Sequence, residues 1–244
     1  MPTASSPPAS AELIPGIGFR IIETIERPPA DLARELGMFP TPDISDEMNR
    51  MYAMNSSIRP YSDPDLRLIG PACTVKVFPG DNLMVHKSLD IARPGDVVVV
   101  DASSSTMNAV LGDTISMKAR HRGIAGFVID GLVRDVPAIR RLGDFPVFAR
   151  GITPIGPLHR GPGELNYPVS VGGIVVNPGD LIVAEEAGIV VVPRESIGAI
   201  LASLRAKAAG HKEYMANVIA GKFSNAWVDD VLRFNGVTVG PDVP

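Results

Sequence analysis

Two charged dipeptides separated by twenty residues carry the clearest chemical content of this chain. Gly112-Asp113 is followed, after residues 114–133, by Arg134-Asp135. A helix-like stretch, an apolar strand-like run and a turn at 131–133 lie between them, so both ends can reach one rim of a sheet. Carboxylates are hard oxygen ligands for Mg²⁺ or Mn²⁺, and arginine offers a planar, permanent cation to an oxo-acid. The spacing therefore predicts a site for a divalent metal and an oxo-acid.

The start of a helix next to Gly112 adds a place for an anion. Residues 113–121 predict a helix, and the amides of Thr114 and Ile115 in its first turn have no intrahelical acceptor. The positive end of the helix dipole favours a carboxylate there, and a glycine lets a ligand approach the backbone closely. We expect the carboxylate of a substrate to bind at this turn.

Each of these residues also has an ordinary structural interpretation. Asp135 precedes Val136-Pro137 and can be a plain N-cap of the next helix. Asp113 can stabilise its own helix from the first turn, and Arg134 can be a surface ion-pair partner. Taken singly each signal is weak, and the joint spacing is what favours a site.

Other candidates for acid–base chemistry are less specific. His86 can act as a proton shuttle or be an ordinary helix-face histidine, and His159 lies in a Gly/Pro-rich loop that gives no prediction. Glu47 and Glu213 can approach the metal-bound water of a neighbouring subunit, or be exposed helix acids. The general base stays unassigned, because a metal-bound water serves as well as a side chain.

The remaining basic residues predict no covalent chemistry. Lys76 and Lys118 are interpreted as structural or solvated residues, and His121 and His211 as surface residues. Breaking a carbon–carbon bond next to a 2-oxo acid through a metal-stabilised enolate requires no Schiff-base lysine.

Composition sets limits on the class of protein. The chain has 244 residues, 45% of them apolar, and a net charge of −4, which argues against a general nucleic-acid binder. Its single cysteine, Cys73, cannot form an internal disulfide and is interpreted as a small buried hydrophobe. No apolar run approaches the roughly 18 residues of a membrane span, and the first residues show no signal pattern. We expect a cytoplasmic protein that binds neither nucleic acid nor membrane.

Strand-like and helix-like segments alternate through the middle of the chain, which predicts an α/β fold with parallel strands. Ser45 is expected to be the N-cap of a helix over 46–54. Short strands without intervening helices follow residue 152 and predict a second β layer, and a long amphipathic helix is expected over 195–220. The other expected strands are 69–78, 97–103, 124–130 and 146–151, and the other expected helices are 27–39, 83–92, 113–121 and 135–142.

Three segments make up the predicted domain organisation. Residues 1–26 form an N-terminal arm, residues 27–220 a single domain, and residues 221–244 a Gly/Pro-rich tail. The arm begins with a Pro/Ser/Ala-rich stretch that is expected to be mobile or wrapped on a neighbour.

The spacing motif resembles one enzyme family. With GD at 112–113 and DGLVRD at 130–135, it is similar to the 4-hydroxy-4-methyl-2-oxoglutarate / 4-carboxy-4-hydroxy-2-oxoadipate aldolases, whose superfamily also contains the regulator of ribonuclease activity A (RraA). The resemblance covers about residues 40–215. Supporting matches are GDN with His86 at 80–86, PGDVVVVDAS at 94–103 and GDLIVAEEAGIVVVP at 179–193.

This resemblance implies a fold and an assembly. The fold would be an α/β/β sandwich of the phosphohistidine (swivelling) domain type, with mixed sheets, parallel strand–helix units and a long C-terminal helix. The assembly would be a homotrimer, or a hexamer built as a dimer of trimers, with active sites between subunits. The expected partners are a small oxo-acid substrate and further copies of the chain.

The resemblance also implies an activity and assigns roles. The enzyme would be a class II pyruvate aldolase that uses Mg²⁺ or Mn²⁺ in the catabolism of aromatic compounds. Asp135 would bind the metal directly, Asp113 would hold metal-bound water, and Arg134 would bind the pyruvyl oxygen. The amides of Thr114 and Ile115 would bind the substrate carboxylate.

Related functions stay open at this point. Loss of CO₂ from oxaloacetate gives the same enolate, so oxaloacetate decarboxylase activity is a natural companion. The alternatives are a non-catalytic RraA-like protein that binds and regulates a ribonuclease, and another lyase or dehydratase that uses the same site.

Overall fold

A computed structural model describes residues 13–237, so the first twelve residues of the predicted arm and the last seven of the predicted tail lie outside the described residues. The strands are β1 Phe19–Ile21, β2 Arg59–Pro60, β3 Leu68–Val77, β4 Val97–Asp101, β5 Ala109–Leu111, β6 Gly126–Val133, β7 Val147–Ile152, β8 Gly163–Leu165, β9 Val169–Val171, β10 Ile174–Val176, β11 Leu181–Glu185 and β12 Gly188–Val192. The helices are α1 Ala30–Leu36, α2 Thr41–Glu47, α3 Leu83–Ile91, α4 Asp113–His121, α5 Val136–Arg141, α6 Ile197–Ile219 and α7 Ala226–Phe234.

A mixed sheet forms the centre of the fold. Its strand order is β1-β8-β3-β4-β6-β7-β2, with β5 added to β6, and with β11 paired to both β3 and β12. The pairs β3–β4, β4–β6 and β6–β7 are parallel, which confirms the predicted strand–helix units, whereas β3–β8, β3–β11 and β2–β7 are antiparallel. All five residues of β4 are buried, as expected for a strand that is covered on both faces.

Two apolar cores lie on opposite faces of this sheet. On one face, side chains of α3, α4 and α5 such as Val85, Ile115 and Ile139 pack against the sheet. On the other face, β9 to β12 cover it with side chains such as Val171 and Ile182. In the described part of the chain, the sheet therefore has a helical layer (α3 to α5) on one face and a β layer (β9 to β12) on the other, and the prediction of a mixed α/β fold is confirmed.

The chain divides into two compact units at Ala202–Ser203. The first unit contains β1 to β12 and α1 to α5. The second contains most of α6 and the helix α7, whose 9 residues lie within the segment predicted as a Gly/Pro-rich tail. The long helix over 195–220 is confirmed by α6, whereas the predicted domain boundaries after residues 26 and 220 stay predictions.

Two local predictions are wrong. Helix α2 begins at Thr41 rather than after Ser45, because Pro42 in its first turn supplies a preformed helical φ. It ends before 49–50, where Asn49 and Arg50 have positive φ angles of 54° and 64°. Residues 131–133, predicted as a turn, continue strand β6 because the short strand β5 pairs alongside them.

Cys73 lies on β3 and is fully buried. Burial raises the pKa of its thiol to about 12; the nearby Asp96 contributes to the rise and Arg27 opposes it. A thiol this hard to ionise is a poor nucleophile, so the interpretation as a small hydrophobe is confirmed. Within residues 13–237, no helix combines the length and the apolarity that a membrane crossing requires.

Candidate active site

The carboxyl end of β6 brings the two halves of the spacing motif together. The backbone N–H of Arg134 donates to the carbonyl of Leu111 at 3.0 Å, which fixes the end of β6 beside the end of β5. Gly112 follows β5 and precedes α4, so Arg134-Asp135 and Gly112-Asp113 meet at one edge of the sheet. Ligands of parallel α/β sheets gather at this kind of edge.

Gly112 is needed because two side chains lie against its backbone. A Cβ added there would stand 2.4 Å from Oδ2 of Asp135 and 2.9 Å from Cγ of Arg134. The φ of Gly112 is −144°, in the extended range that any residue adopts. Close approach, and not backbone conformation, is therefore what requires a glycine at this position.

The carboxylate of Asp135 is not used as a helix cap. Asp135 stands at the N-cap position of α5, but in a left-handed conformation (φ 57°) and with no capping hydrogen bond from its side chain. Instead its Oδ2 lies 3.3 Å from Nε of Arg134, and the two side chains are each 44% exposed. The plain N-cap interpretation is thus wrong. A non-glycine residue held at positive φ is a feature that clusters at functional sites.

Asp113 supports the first turn of its own helix. Its Oδ1 accepts the backbone N–H of Thr114 at 2.6 Å and lies 3.2 Å from the Thr114 hydroxyl. The Thr114 amide, predicted to have no intrahelical acceptor, is thus occupied by the preceding carboxylate, which folds back onto it. Ile115 lies in the same turn with its side chain in the core, and the carboxylate-binding role of the two amides stays a prediction.

The donor set at this edge suits a hard cation that keeps much of its water. Asp113 follows Gly112 in the chain and is half-buried, whereas Asp135 is exposed and its carboxylate lies against the Gly112 backbone. No three His, Cys, Asp or Glu side chains converge as a metal cage within the described part of the chain. Two carboxylates with waters match Mg²⁺ or Mn²⁺, which often bind through one or two carboxylates. A structural zinc site would need a fuller set of ligands.

A buried asparagine and two histidines form a second polar group at the same edge. Asn82, which is 1% exposed, donates from Nδ2 to the carbonyl of Val110 at 2.8 Å. Its Oδ1 lies 2.6 Å from Nδ1 of His159. The His159 ring meets the His86 ring edge-on, with 5.4 Å between centroids. Burial lowers the pKa of His86, and His159 and Lys118 lower it further against the opposing effect of Asp81.

The loop after β7, residues 153–160, borders both groups. A Cβ on Gly156 would lie 2.5 Å from Nη1 of Arg134, so the guanidinium covers that glycine. The Gly156 carbonyl accepts from Asn108 at 2.7 Å, and Leu158 pairs through its backbone with Gly80 and Asn82. The sequence predicts no role for this loop, because backbone bonds between distant residues leave no local pattern.

The other predicted residues occupy different places. Glu47 lies at the end of α2, which packs against β11 and β12, and Glu213 is exposed on α6 in the second unit. Their roles at a subunit interface stay predictions. Nζ of Lys76 lies 3.5 Å from Oδ2 of Asp101 and the lysine side chain is half exposed, so its interpretation as a structural or solvated residue stands. The exposed Lys118 belongs to α4 and faces His86 closely enough to affect its pKa.

Comparison with known proteins identifies similar chains. The family model described as RraA-like, aldolase/RraA, matches residues 41–191. A protein of Halalkalibacterium halodurans, provisionally named 4-hydroxy-4-methyl-2-oxoglutarate aldolase, is 42% identical over 164 residues, covering 67% of this chain and 77% of that protein.

Solved structures agree with this similarity. RraAS2 of Streptomyces coelicolor, titled an unusual member of the RNase ES inhibitor RraA family, superimposes with a TM-score of 0.70 at 28% identity over 78% of this chain and 100% of that one. The RNA-processing inhibitor RraA from Thermus thermophilis gives a TM-score of 0.59 at 32% identity, covering 64% and 93% of the two chains.

Proposed function

Because this chain belongs to the RraA-like (aldolase/RraA) family, we propose that it is a metal-dependent lyase, a class II pyruvate aldolase. Its substrate is 4-hydroxy-4-methyl-2-oxoglutarate or a related 4-hydroxy-2-oxo acid, which it cleaves to pyruvate and a second carbonyl compound. The name of the Halalkalibacterium relative supports this activity. The observation that carries the proposal is the placement of Arg134 and Asp135 against Gly112, beside Asp113.

Arg134 is the group suited to the charge that develops during cleavage. When the bond between C3 and C4 breaks, its electron pair enters the pyruvyl half and negative charge collects on the C2 oxygen. The guanidinium is permanently positive, is 44% exposed, and is held beside Gly156. A fixed cation at the position where charge develops lowers the barrier, because it requires no reorganisation during the reaction.

Asp135 and Asp113 are the residues that would hold Mg²⁺ or Mn²⁺, with Asp135 as direct ligand and Asp113 holding metal-bound water. The bound metal would act as a Lewis acid toward the oxo-acid. The amides of Thr114 and Ile115 would receive the substrate carboxylate. Since Asp113 accepts the Thr114 amide in the structure, Asp113 must turn away from that amide for both groups to serve.

Oxaloacetate decarboxylation follows from the same site. Loss of CO₂ leaves the same pyruvate enolate, so Arg134 and the metal would serve both reactions. We therefore propose oxaloacetate decarboxylase activity as a companion. From the family resemblance we also propose a fold of the phosphohistidine-domain type and an assembly as a homotrimer or a dimer of trimers. The expected cytoplasmic location stays a prediction.

A second candidate function is supported by the solved structures. The likeness to RraAS2 and to the Thermus RraA favours a non-catalytic regulator that binds a ribonuclease. The charged, partly exposed Arg134-Asp135 pair packed on Gly112 suits the binding of an oxo-acid, and on this ground we favour the enzyme.

A panel of oxo-acids tests the proposal. Purified protein with Mg²⁺ or Mn²⁺ is incubated with 4-hydroxy-4-methyl-2-oxoglutarate, 4-carboxy-4-hydroxy-2-oxoadipate and oxaloacetate, and pyruvate is followed by coupling to lactate dehydrogenase. We expect metal-dependent pyruvate release that a chelator abolishes. Absence of pyruvate from all three acids, together with binding to a ribonuclease in a pull-down, would favour the regulator.

A further inference from the structure

The proposed retro-aldol reaction needs a base that the residues around Arg134 do not supply. Cleavage begins with removal of the proton from the C4 hydroxyl, and a proton must later be added to C3 of the enolate. Arg134 carries its charge permanently, and the carboxylates of Asp113 and Asp135 are placed for a metal. Besides a metal-bound water, a neutral side chain with a free lone pair on the C4 side of the substrate can serve as this base.

Asn82 fixes the tautomer of His159. The Nδ2 of Asn82 donates to the carbonyl of Val110, so the amide cannot be reversed without placing two acceptors against each other. Its Oδ1, which can only accept, therefore faces Nδ1 of His159 at 2.6 Å. The proton of the neutral ring must lie on Nδ1, and Nε2 keeps its lone pair.

His159 is also accessible, and its loop touches the site. The residue is exposed, while its loop is held by the bonds of Leu158 to Gly80 and Asn82. Gly156, in the same loop, lies against Nη1 of Arg134 and precedes His159 by three residues, at most about 11 Å of chain. The loop therefore connects the imidazole with the cation that would bind the C2 oxygen, and the C4 hydroxyl lies on the second carbon beyond C2.

His86 adds no second positive charge beside this imidazole. Its ring packs edge-on against His159, and burial, His159 and Lys118 lower its pKa. A neutral His86 does not repel the proton that His159 takes up. We therefore assign the role of base to His159 and that of an uncharged neighbour to His86. His86 is a neighbour of the base and not the shuttle itself.

Resting on the proposed aldolase function, we propose that His159 is its general base and that Asn82 is the positioning residue that keeps Nε2 free. Nε2 takes the proton of the C4 hydroxyl, the C4 carbonyl forms, and the C3–C4 bond breaks. The electron pair of that bond moves into the pyruvyl half, with charge on the C2 oxygen beside Arg134. The imidazolium then returns the proton to C3, which gives pyruvate and restores the neutral ring.

A single substitution separates this role from that of a loop anchor. In His159→Asn the side-chain amide can still donate to Asn82, but the lone pair of Nε2 is lost. We expect kcat for 4-hydroxy-4-methyl-2-oxoglutarate to fall by about 10²- to 10⁴-fold, the range of general base catalysis, with KM close to that of wild type.

Loss of CO₂ from oxaloacetate requires no hydroxyl deprotonation, so the rate of oxaloacetate consumption should stay near that of wild type. The matched control is His121→Asn, at an exposed histidine at the end of α4.

The outcomes distinguish an error in the assignment of the base from an error in the proposed aldolase function. Equal loss of both reactions in His159→Asn, or loss of neither, overturns the assignment of the base and leaves the aldolase function standing. A wild-type protein that consumes neither acid overturns the proposed function and the base with it. The tautomer is read independently of activity by ¹⁵N NMR of the histidine rings. A neutral His159 with its proton on Nε2 would contradict the assignment even in an active enzyme.

Discussion

Replacing Gly112 by alanine tests the geometry of the candidate site most sharply. The new Cβ would stand 2.4 Å from Oδ2 of Asp135, whereas ordinary contact begins at 3.4 Å. The carboxylate must therefore retreat by about 1 Å, and the Arg134 side chain, at 2.9 Å, must also give way. A displacement of about 1 Å at a catalytic group can cost roughly 100-fold in rate, which corresponds to about 2.7 kcal/mol of transition-state stabilisation.

The same substitution should leave the fold almost unchanged. The side chains of Arg134 and Asp135 are each 44% exposed and can swing toward water, and the φ of Gly112 is accessible to alanine. We expect the free energy of unfolding to change by no more than about 1 kcal/mol, as for substitutions that create no buried clash. Gly198→Ala is the control, because a Cβ at that helical glycine meets nothing within 4 Å.

The assay compares kcat/KM for pyruvate release with urea unfolding for wild type, Gly112→Ala and Gly198→Ala. The expected pattern is a roughly 100-fold loss of kcat/KM in Gly112→Ala alone, with both variants as stable as wild type or nearly so. A Gly112→Ala protein with wild-type kcat/KM would show that the close contact between Asp135 and Gly112 has no part in catalysis.

Three further predictions concern metal, pH and thiol chemistry. Mg²⁺ should raise the melting temperature of wild type but not of Asp135→Asn, and an equal rise in both would exclude Asp135 as a ligand. Burial raises the pKa of Asp130, but hydrogen bonds, above all from Arg150, outweigh this and hold it below its usual value. Its contribution to stability is therefore complete above about pH 4 and is lost as the pH falls through the lowered pKa. Urea unfolding from about pH 6 down to about pH 2, two units on either side of pH 4, should show a shallower loss of stability in Asp130→Asn; identical slopes would contradict this. Cys73, with a thiol pKa of about 12, should react with a thiol reagent at neutral pH only after unfolding, and rapid labelling of the native protein would be contrary evidence.

The central part of the site was predictable because its order along the chain is simple. A strand, a helix and a parallel neighbouring strand place Gly112-Asp113 and Arg134-Asp135 at one edge by local rules. The roles within that edge were harder to predict. Whether Asp135 caps α5 or faces Gly112 depends on a left-handed φ of 57°, which the residue types alone do not determine.

Other features depend on contacts between distant residues. Strand β5 has only three residues, and its pairing with β6 is what extends β6 through 131–133. The position of His159 depends on backbone bonds of Leu158 and on the amide of Asn82, so a histidine in a Gly/Pro-rich loop gave no usable signal. Helix α7 was missed because the flanking glycines and prolines obscured a nine-residue apolar pattern.

Exchange of the methyl protons of pyruvate in D₂O tests directly whether this site forms a pyruvate enolate with the help of a metal. The exchange requires only the pyruvyl half of the site, so the other half of the substrate need not be known. ¹H NMR would follow loss of the methyl signal with wild-type protein and Mg²⁺, with chelator added, and with Asp135→Asn. We expect wild type with Mg²⁺ to catalyse the exchange, and the other two samples to exchange at the uncatalysed rate. No exchange by a folded, Mg²⁺-loaded wild type, or undiminished exchange by Asp135→Asn, would contradict it.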